Sequence, residues 1–260
     1  MSNAPRYRPV TAIAILCAAS AAHAAATSQF CLAQKRIAHG NLQKCSAGEE
    51  AKAVQLKPSD LTKCTTKFRA KLASLNAMAR EAGIDCRFVD NGNSITDYDT
   101  GLQWMKTYNL DGAEDHENPL DADNGYTWNA YTTPQSAADG SVFTEFLSQL
   151  NNCTNDGSAP VFFGFAAHCD WRLPTTAELG TIFQCPDDPF SFTCVDPIFG
   201  PTPQPNLYWS SETYSPDASY AWTAVFAPGT GSFLFPDLKI HRAYARAVRD
   251  QFGSAPYIIP

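Results

Sequence analysis

From Leu61 to Ala82 the apolar positions step by three or four residues: Leu61, Cys64, Phe68, Leu72, Leu75, Ala79 and Ala82. That spacing lines one face of a helix. Pro58 and Ser59 mark its start, and Gly83 sits where a left-handed residue ends a helix. The preceding stretch, roughly Ser28 to Leu56, is also helical in composition, although Gly40 weakens it. Cys31, Ala38, Leu42 and Cys45 fall near one face there. The chain folds back at Lys57-Pro58, so the pattern predicts an α-helical hairpin.

After residue 87 the period changes. Phe88, Ile95 and Leu102 to Trp104 are separated by the turn signals Asn91-Gly92-Asn93 and Thr100-Gly101, which predicts a β-meander. Residues Thr107 to Gly140 are polar and turn-rich, too long for a plain connection, and read as a decorated loop. Val142, Phe143, Phe146, Leu147 and Leu150 form the stripe of a helix capped by Asp139 or Ser141. Trp171 and Leu173 alternate with Asp170 and Arg172 as a short strand, and Pro174 then fixes the chain. Thr175 and Glu178 stand at the spacing of a capping box that opens a second helix. LYWSSE, SYAWTAVFA, SFLF and AYARAVRD follow as strands, with Tyr220, Trp222, Ala224 and Phe226 alternating. Strands, two helices, then strands make an α+β domain with antiparallel sheet.

The first 24 residues change the picture of compartment. Arg6 and Arg8, the apolar run Val10 to Ala22 and Ala22-His23-Ala24 have the form of a secretory signal with an A-x-A cleavage site. The run is too short to span a bilayer, which takes about 20 residues. Leu16 stands where a lipoprotein signal would place a small residue before Cys17. The expected organisation is a signal peptide at 1–24, the hairpin at 25–86, the α+β domain at 87–250 and a tail at 251–260. The expected location is outside the cytoplasm: periplasm, cell surface or medium.

Nine cysteines become eight once the signal is removed, and none forms a C-x-x-C pair. In an oxidising compartment disulfides are the default. Four precede residue 87 and four follow it. If each set pairs internally, the 105 pairings open to eight cysteines fall to nine. Folding the hairpin at Lys57-Pro58 favours Cys45–Cys64 and Cys31–Cys86 over the crossed pairing. Cys153–Cys169 closes the loop before the Trp171 turn, and Cys185–Cys194 brackets a short one.

Charge divides at the same place. Residues 25–86 carry ten Lys and Arg against five Asp and Glu, and residues 87–260 carry seven against twenty-one. The basic residues of the hairpin have no aromatic interleaving, which argues against nucleic acid as a partner. They form a solvated face or dock on an anionic surface.

DNGNSITDYDTGLQW, DADNGYTW, DGSVFTEFLSQLN, HCDWRLPTTAEL, CVDPIFGPT, YWSSE and YARAVRD, in this order over about residues 88–249, resemble the Lcl C-terminal domain family. That family takes its name from the C-terminal domain of a bacterial collagen-like adhesin. The resemblance implies a C-type-lectin-like fold, shared with formylglycine-generating-type domains, in which an antiparallel sheet carries two helices. It also implies a secreted or surface-exposed module, with adhesion to polysaccharide as the namesake's role. Trp171, Arg172, Leu173, Pro174, Thr175 and Glu178 are then a fold signature. The chain has no Gly-X-Y repeat, so the collagen stalk does not carry over. A domain at net −14 repels polyanions, which disfavours sulfated polymers.

Candidate chemistry is sparse. His168-Cys169-Asp170 could be imagined as a nucleophile beside a base, but neighbours in a strand point to opposite faces. The cysteine pair that a formylglycine-generating oxidase needs late in its chain is missing after Cys194. No spacing selects two carboxylates for glycoside hydrolysis. No catalytic residue is therefore expected. The densest acidic run offers Asp111, Asp115, Asp121 and Asp123 as calcium ligands, with a solvated loop as the alternative; no other cofactor is expected. For ligand contact the sequence offers Asn206, within a Gln-Pro-Asn tripeptide, together with Trp209 and Glu212, although a core position suits Trp209 better. The expected function is a non-enzymatic binding or adhesion module for a surface glycan or envelope partner. A structural or protein–protein role without small ligand is the alternative, and an enzyme of unknown reaction the third.

Overall fold

A computed structural model describes residues 11–131, 137–154, 162–183, 194–203, 207–226 and 233–251. The chain forms two compact units, Met1–Arg87 and Phe88–Pro260. Together they make an α+β protein with an N-terminal helical hairpin.

The first unit consists of α1 (Thr11–Val54) and α2 (Leu61–Ala82). Helix α1 runs unbroken through Gly40 and through the expected cleavage site after Ala24. Gly40 does not break it: a glycine costs a helix only about 1 kcal/mol, and tertiary packing overrides that. Helix α2 begins one residue later than expected, because Asp60 caps it by accepting from the Lys63 N–H at 3.2 Å. Gly83 closes α2 at φ 63°, with Ile84 N donating to Ala79 O at 3.0 Å. Disulfides join Cys31 to Cys86 and Cys45 to Cys64, the nested arrangement. Leu72, Leu75 and Ala79 are buried between them. Among the described residues no helix is long and apolar enough to cross a membrane.

The second unit opens with β1 (Phe88–Asp90), β2 (Ser94–Asp97) and β3 (Leu102–Met105), the expected meander. Strand β4 (Gly125–Thr127) follows the long loop. Val142–Leu147 is a π-helical segment that runs into α3 (Ser148–Leu150). Neither expected cap serves it. Ser141 Oγ accepts from Thr127 N and Asp139 Oδ1 from Ala130 N, both at 2.9 Å, so the end of β4 has taken both side chains. A small pair, β5 (Cys153–Thr154) and β6 (Phe162–Phe163), leads to α4 (Thr176–Thr181). Then come β7 (Leu207–Thr213), β8 (Tyr220–Val225), β9 (Phe233–Leu238), β10 (Arg242–Tyr244) and β11 (Val248–Asp250).

Among the described residues these strands form sheets ordered β1-β2-β3-β11 and β4-β10-β7-β8-β9, beside the β5-β6 pair. All pairings are antiparallel except β10 with β7 at Tyr244 and Tyr208. One core cluster gathers Trp128, Phe146, Trp171 and Trp209; another gathers Trp104, Leu179, Phe199 and Phe226. Between Met105, Phe199 and Tyr208 lies Arg246, 1% exposed. Its Nη1 donates to Met105 O at 3.1 Å and Phe199 O at 2.8 Å, and its Nη2 to the hydroxyls of Thr107 and Thr202.

Two outcomes follow. The Cys31–Cys86 bond spans 55 residues, so replacing both cysteines by Ser should destabilise the hairpin by about 4 kcal/mol in the chain-entropy model. Far-ultraviolet circular dichroism during urea titration would read this as an earlier loss of helix. Arg246→Ala should destabilise the second unit by about 3 kcal/mol or more, because four buried oxygen acceptors each lose a charge-assisted donor. Tryptophan fluorescence in urea would measure that loss.

Candidate binding surface around strand β4

The turn at Trp171 is architecture. Trp171 and Leu173 are buried, and Arg172 exchanges backbone hydrogen bonds with Val248 at 2.9 Å. Thr175 Oγ1 accepts from Glu178 N at 3.1 Å while Glu178 Oε2 accepts from Thr175 N at 2.8 Å, completing the capping box. The buried Glu178 carboxylate also holds Arg172 through two bonds of 2.7 and 2.8 Å. Pro174 O accepts from Ser211 N at 2.8 Å, which ties the turn to β7.

The imagined dyad does not exist. Cys169 is bonded to Cys153, and Asp170 holds the guanidinium of Arg249 at 2.7 Å. Burial pushes the Asp170 carboxyl up, but the bonds and charge of Arg249 outweigh it and hold the group below the usual carboxylate range. Burial, with Arg249 beside it, pushes the His168 imidazole down. Cys194 is disulfide-bonded; Cys185, its expected partner, lies outside the described residues.

Each ligand candidate meets a different fate. Trp209 is fully buried, with its indole N–H donating to Tyr126 O at 2.7 Å, so it is core and offers no surface platform. Glu212 accepts from both the N–H and the hydroxyl of Thr176, which makes it a second cap for α4. Asn206 lies outside the described residues. The four aspartates do not converge. Asp111 accepts from Ala113 N, Asp115 from Glu117 N, Asp121 from Asp123 N, and Asp123 from both Asp111 N and Gly112 N. They shape their own loop, as aspartates in turns do. Among the described residues no group of three or more His, Cys, Asp or Glu could hold a metal ion.

What the loop presents is an exposed polar run from Asn109 to Asp115, with Leu110 half exposed among carboxylates. It is held from beneath. Arg242 of β10 grips both oxygens of Glu114 at 2.8 and 2.9 Å and donates to Gly125 O at 2.6 Å. His116 faces Glu114 at 3.5 Å and Glu145 at 3.0 Å, and its ring stands edge-on to Tyr126. Burial raises the Glu114 carboxyl, yet Arg242 and the Gly125 N–H prevail and hold it below its ordinary value. Asn124, buried, donates to Asp115 O and Asn118 O and fastens the loop's middle.

Beyond the other end of β4 stands a residue that sequence reasoning missed. Tyr131 is 75% exposed and has left-handed backbone at φ 66°. A non-glycine residue in that region is uncommon and needs surrounding structure to impose it. Here Tyr131 N donates to Asn129 Oδ1 at 3.0 Å, and Asn129 Nδ2 donates to Asp139 Oδ1 at 3.1 Å. The N–H groups of Trp128 and Asn129 both donate to Lys239 O. Below them the Lys239 ammonium sits 4.0 Å from the centre of the Trp128 ring, and burial pushes it down. The turn-rich WNAYTTP stretch was the available signal, but composition could not say that an aromatic ring would be turned outward.

These pieces describe a cross-linked α+β scaffold whose signature side chains serve the fold, with Asn109 to Asp115 before β4 and Tyr131 after it facing solvent. The chain belongs to the Lcl C-terminal domain family, whose model matches residues 93–249. No curated protein and no solved structure matches the chain.

The clasp has a measurable signature. A carboxylate whose folded pKa is depressed stabilises above the unfolded value of about 4.3, and that contribution is lost as pH falls through the folded midpoint. In a carbon-13 NMR titration Glu114 should have a midpoint below that of an exposed glutamate. Arg242→Ala should move it upward while leaving the Asp170 midpoint in place.

Proposed function

We propose that the chain is an exported, non-enzymatic binding module of the bacterial envelope or cell surface, and that it holds glycan through the loops flanking β4. The observation that carries this reading is Tyr131, an outward-facing aromatic ring on left-handed backbone with a braced base. A ring carried on a braced backbone presents an apolar face and a hydroxyl with only two side-chain torsions left to order, which suits stacking on a sugar. Family membership supports a module of this class, and the disulfides fit an oxidising compartment. The excess of acid in residues 87–260 favours a neutral or amino-sugar-bearing glycan over a sulfated one.

The hairpin favours a second reading, an envelope protein–protein role without small ligand. It lies outside the family match and carries a net charge of +5 over residues 25–86.

A glycan array probed with the purified protein, with calcium and with chelator, tests the first reading. Binding to neutral or amino-sugar glycans is expected in both conditions, since the aspartates already hold their own backbone. Tyr131→Ala should weaken it about tenfold, the scale of one lost stacking contact. A blank array in both conditions rejects glycan binding.

A further inference from the structure

The seam between the hairpin helices holds a recess of its own. Helix α1 contributes Ala38, Asn41, Leu42 and Cys45, and α2 contributes Cys64, Lys67, Phe68 and Lys71, to a recess of about 220 Å³. Each set steps by three, one and three residues, so each is one helix stripe. The Cys45–Cys64 disulfide lies in the lining, and Phe68 is braced by the ring of His39 at 4.6 Å. Leu42 and Phe68 remain only half-buried, since two helices alone leave such a seam without a third layer.

The polar rim is one-sided. Lys67 and Lys71 stand on the same face of α2, one turn apart, and both are exposed. No carboxylate lies within ion-pair distance of either among the described residues. Between Asp60 and Glu81 the helix has no acid at all. Two like charges four residues apart destabilise a helix, and an anion placed between them reverses that. We propose that this recess binds a free single-chain anionic amphiphile, a medium-chain carboxylate. Its head lies on Lys67 and Lys71 and its hydrocarbon on Phe68, Leu42 and the disulfide. The volume is below the roughly 300–1,000 Å³ of sites for drug-sized ligands, which suits one short chain. A concave recess with charge on a single edge matches a head and a tail, whereas a bilayer surface would need an outward-facing apolar ridge.

Isothermal titration calorimetry of the disulfide-bonded protein, both units present, with decanoate below its micellar concentration tests this. Saturable one-site binding is expected, with none for butyrate, which lacks the tail, and weaker binding for decanol, which lacks the charge. Lys67→Gln with Lys71→Gln should weaken decanoate binding about tenfold by removing the charge-assisted contacts. Asn41→Trp, at an exposed position on the rim, should abolish it by filling the recess. Nuclear Overhauser contacts from decanoate methylenes to the Phe68 ring of the unaltered protein provide a test independent of any variant. Absence of binding, or equal binding by all three proteins, overturns the proposal. Lysine-dependent sedimentation with phosphatidylglycerol vesicles without decanoate binding overturns it too, in favour of a membrane surface. None of these outcomes depends on the glycan array, because the recess lies wholly in the hairpin.

Discussion

A buried cation, with no counter-ion beside it among the described residues, holds the second unit together. Arg246 is sealed from water, and no carboxylate lies within ion-pair distance of it among the described residues. Stripping a guanidinium of its hydration is expensive, so the site exists only because the surroundings replace that hydration at both terminal nitrogens. Two backbone carbonyls and two threonine hydroxyls accept from it, and the rings of Phe199 and Tyr208 lie within 5.7 and 6.0 Å of its central carbon. Desolvation pushes the guanidinium below its ordinary pKa, and burial pushes the Tyr208 hydroxyl up to about 12. The flat fork of arginine suits this task, since a lysine ammonium has only three hydrogens to offer four acceptors. The acceptors come from β3, from the segments around residues 107 and 199–202, so one side chain fixes distant stretches of chain together.

That dependence explains what could and could not be read from the sequence. Helix α2 was legible to its last residue because three-and-four spacing runs through six turns and Gly83 ends it. The capping box was legible because Thr175 and Glu178 need only each other. The nested hairpin disulfides followed from folding two helices at one turn. Arg246 was not legible: its partner Met105 is 141 residues away, and an arginine between two alanines has no periodic signal. The same holds for Asp139 and Ser141, which stood in the right place to cap a helix and were drawn instead to the end of β4.

The surface was harder still. A run of acids predicts exposure, and Asn109 to Asp115 is exposed, but only coordinates reveal that each aspartate is bonded to a nearby amide. Conversely, Trp209 sits beside polar Ser210, Ser211 and Glu212 and is nonetheless fully enclosed. Tyr131 drew no attention among five tryptophans. Exposure of an aromatic ring depends on one backbone dihedral, which sequence patterns of period two or 3.6 do not encode.

Strand β9 closes one side of the five-stranded sheet, and its chemistry governs whether that sheet can grow. Lys239 N donates to Ser219 O, so the odd-numbered amides of this stretch face β8 and the even-numbered ones face away. Of that outward row, Pro236 has no hydrogen to give, and the amide of Leu238 is already bonded to Asp237 Oδ1 at 2.9 Å. A stray strand arriving alongside finds a broken template in spite of the greasy side chains of Leu234 and Phe235. The fold thus carries its own guard against edge-to-edge polymerisation at this border of the sheet.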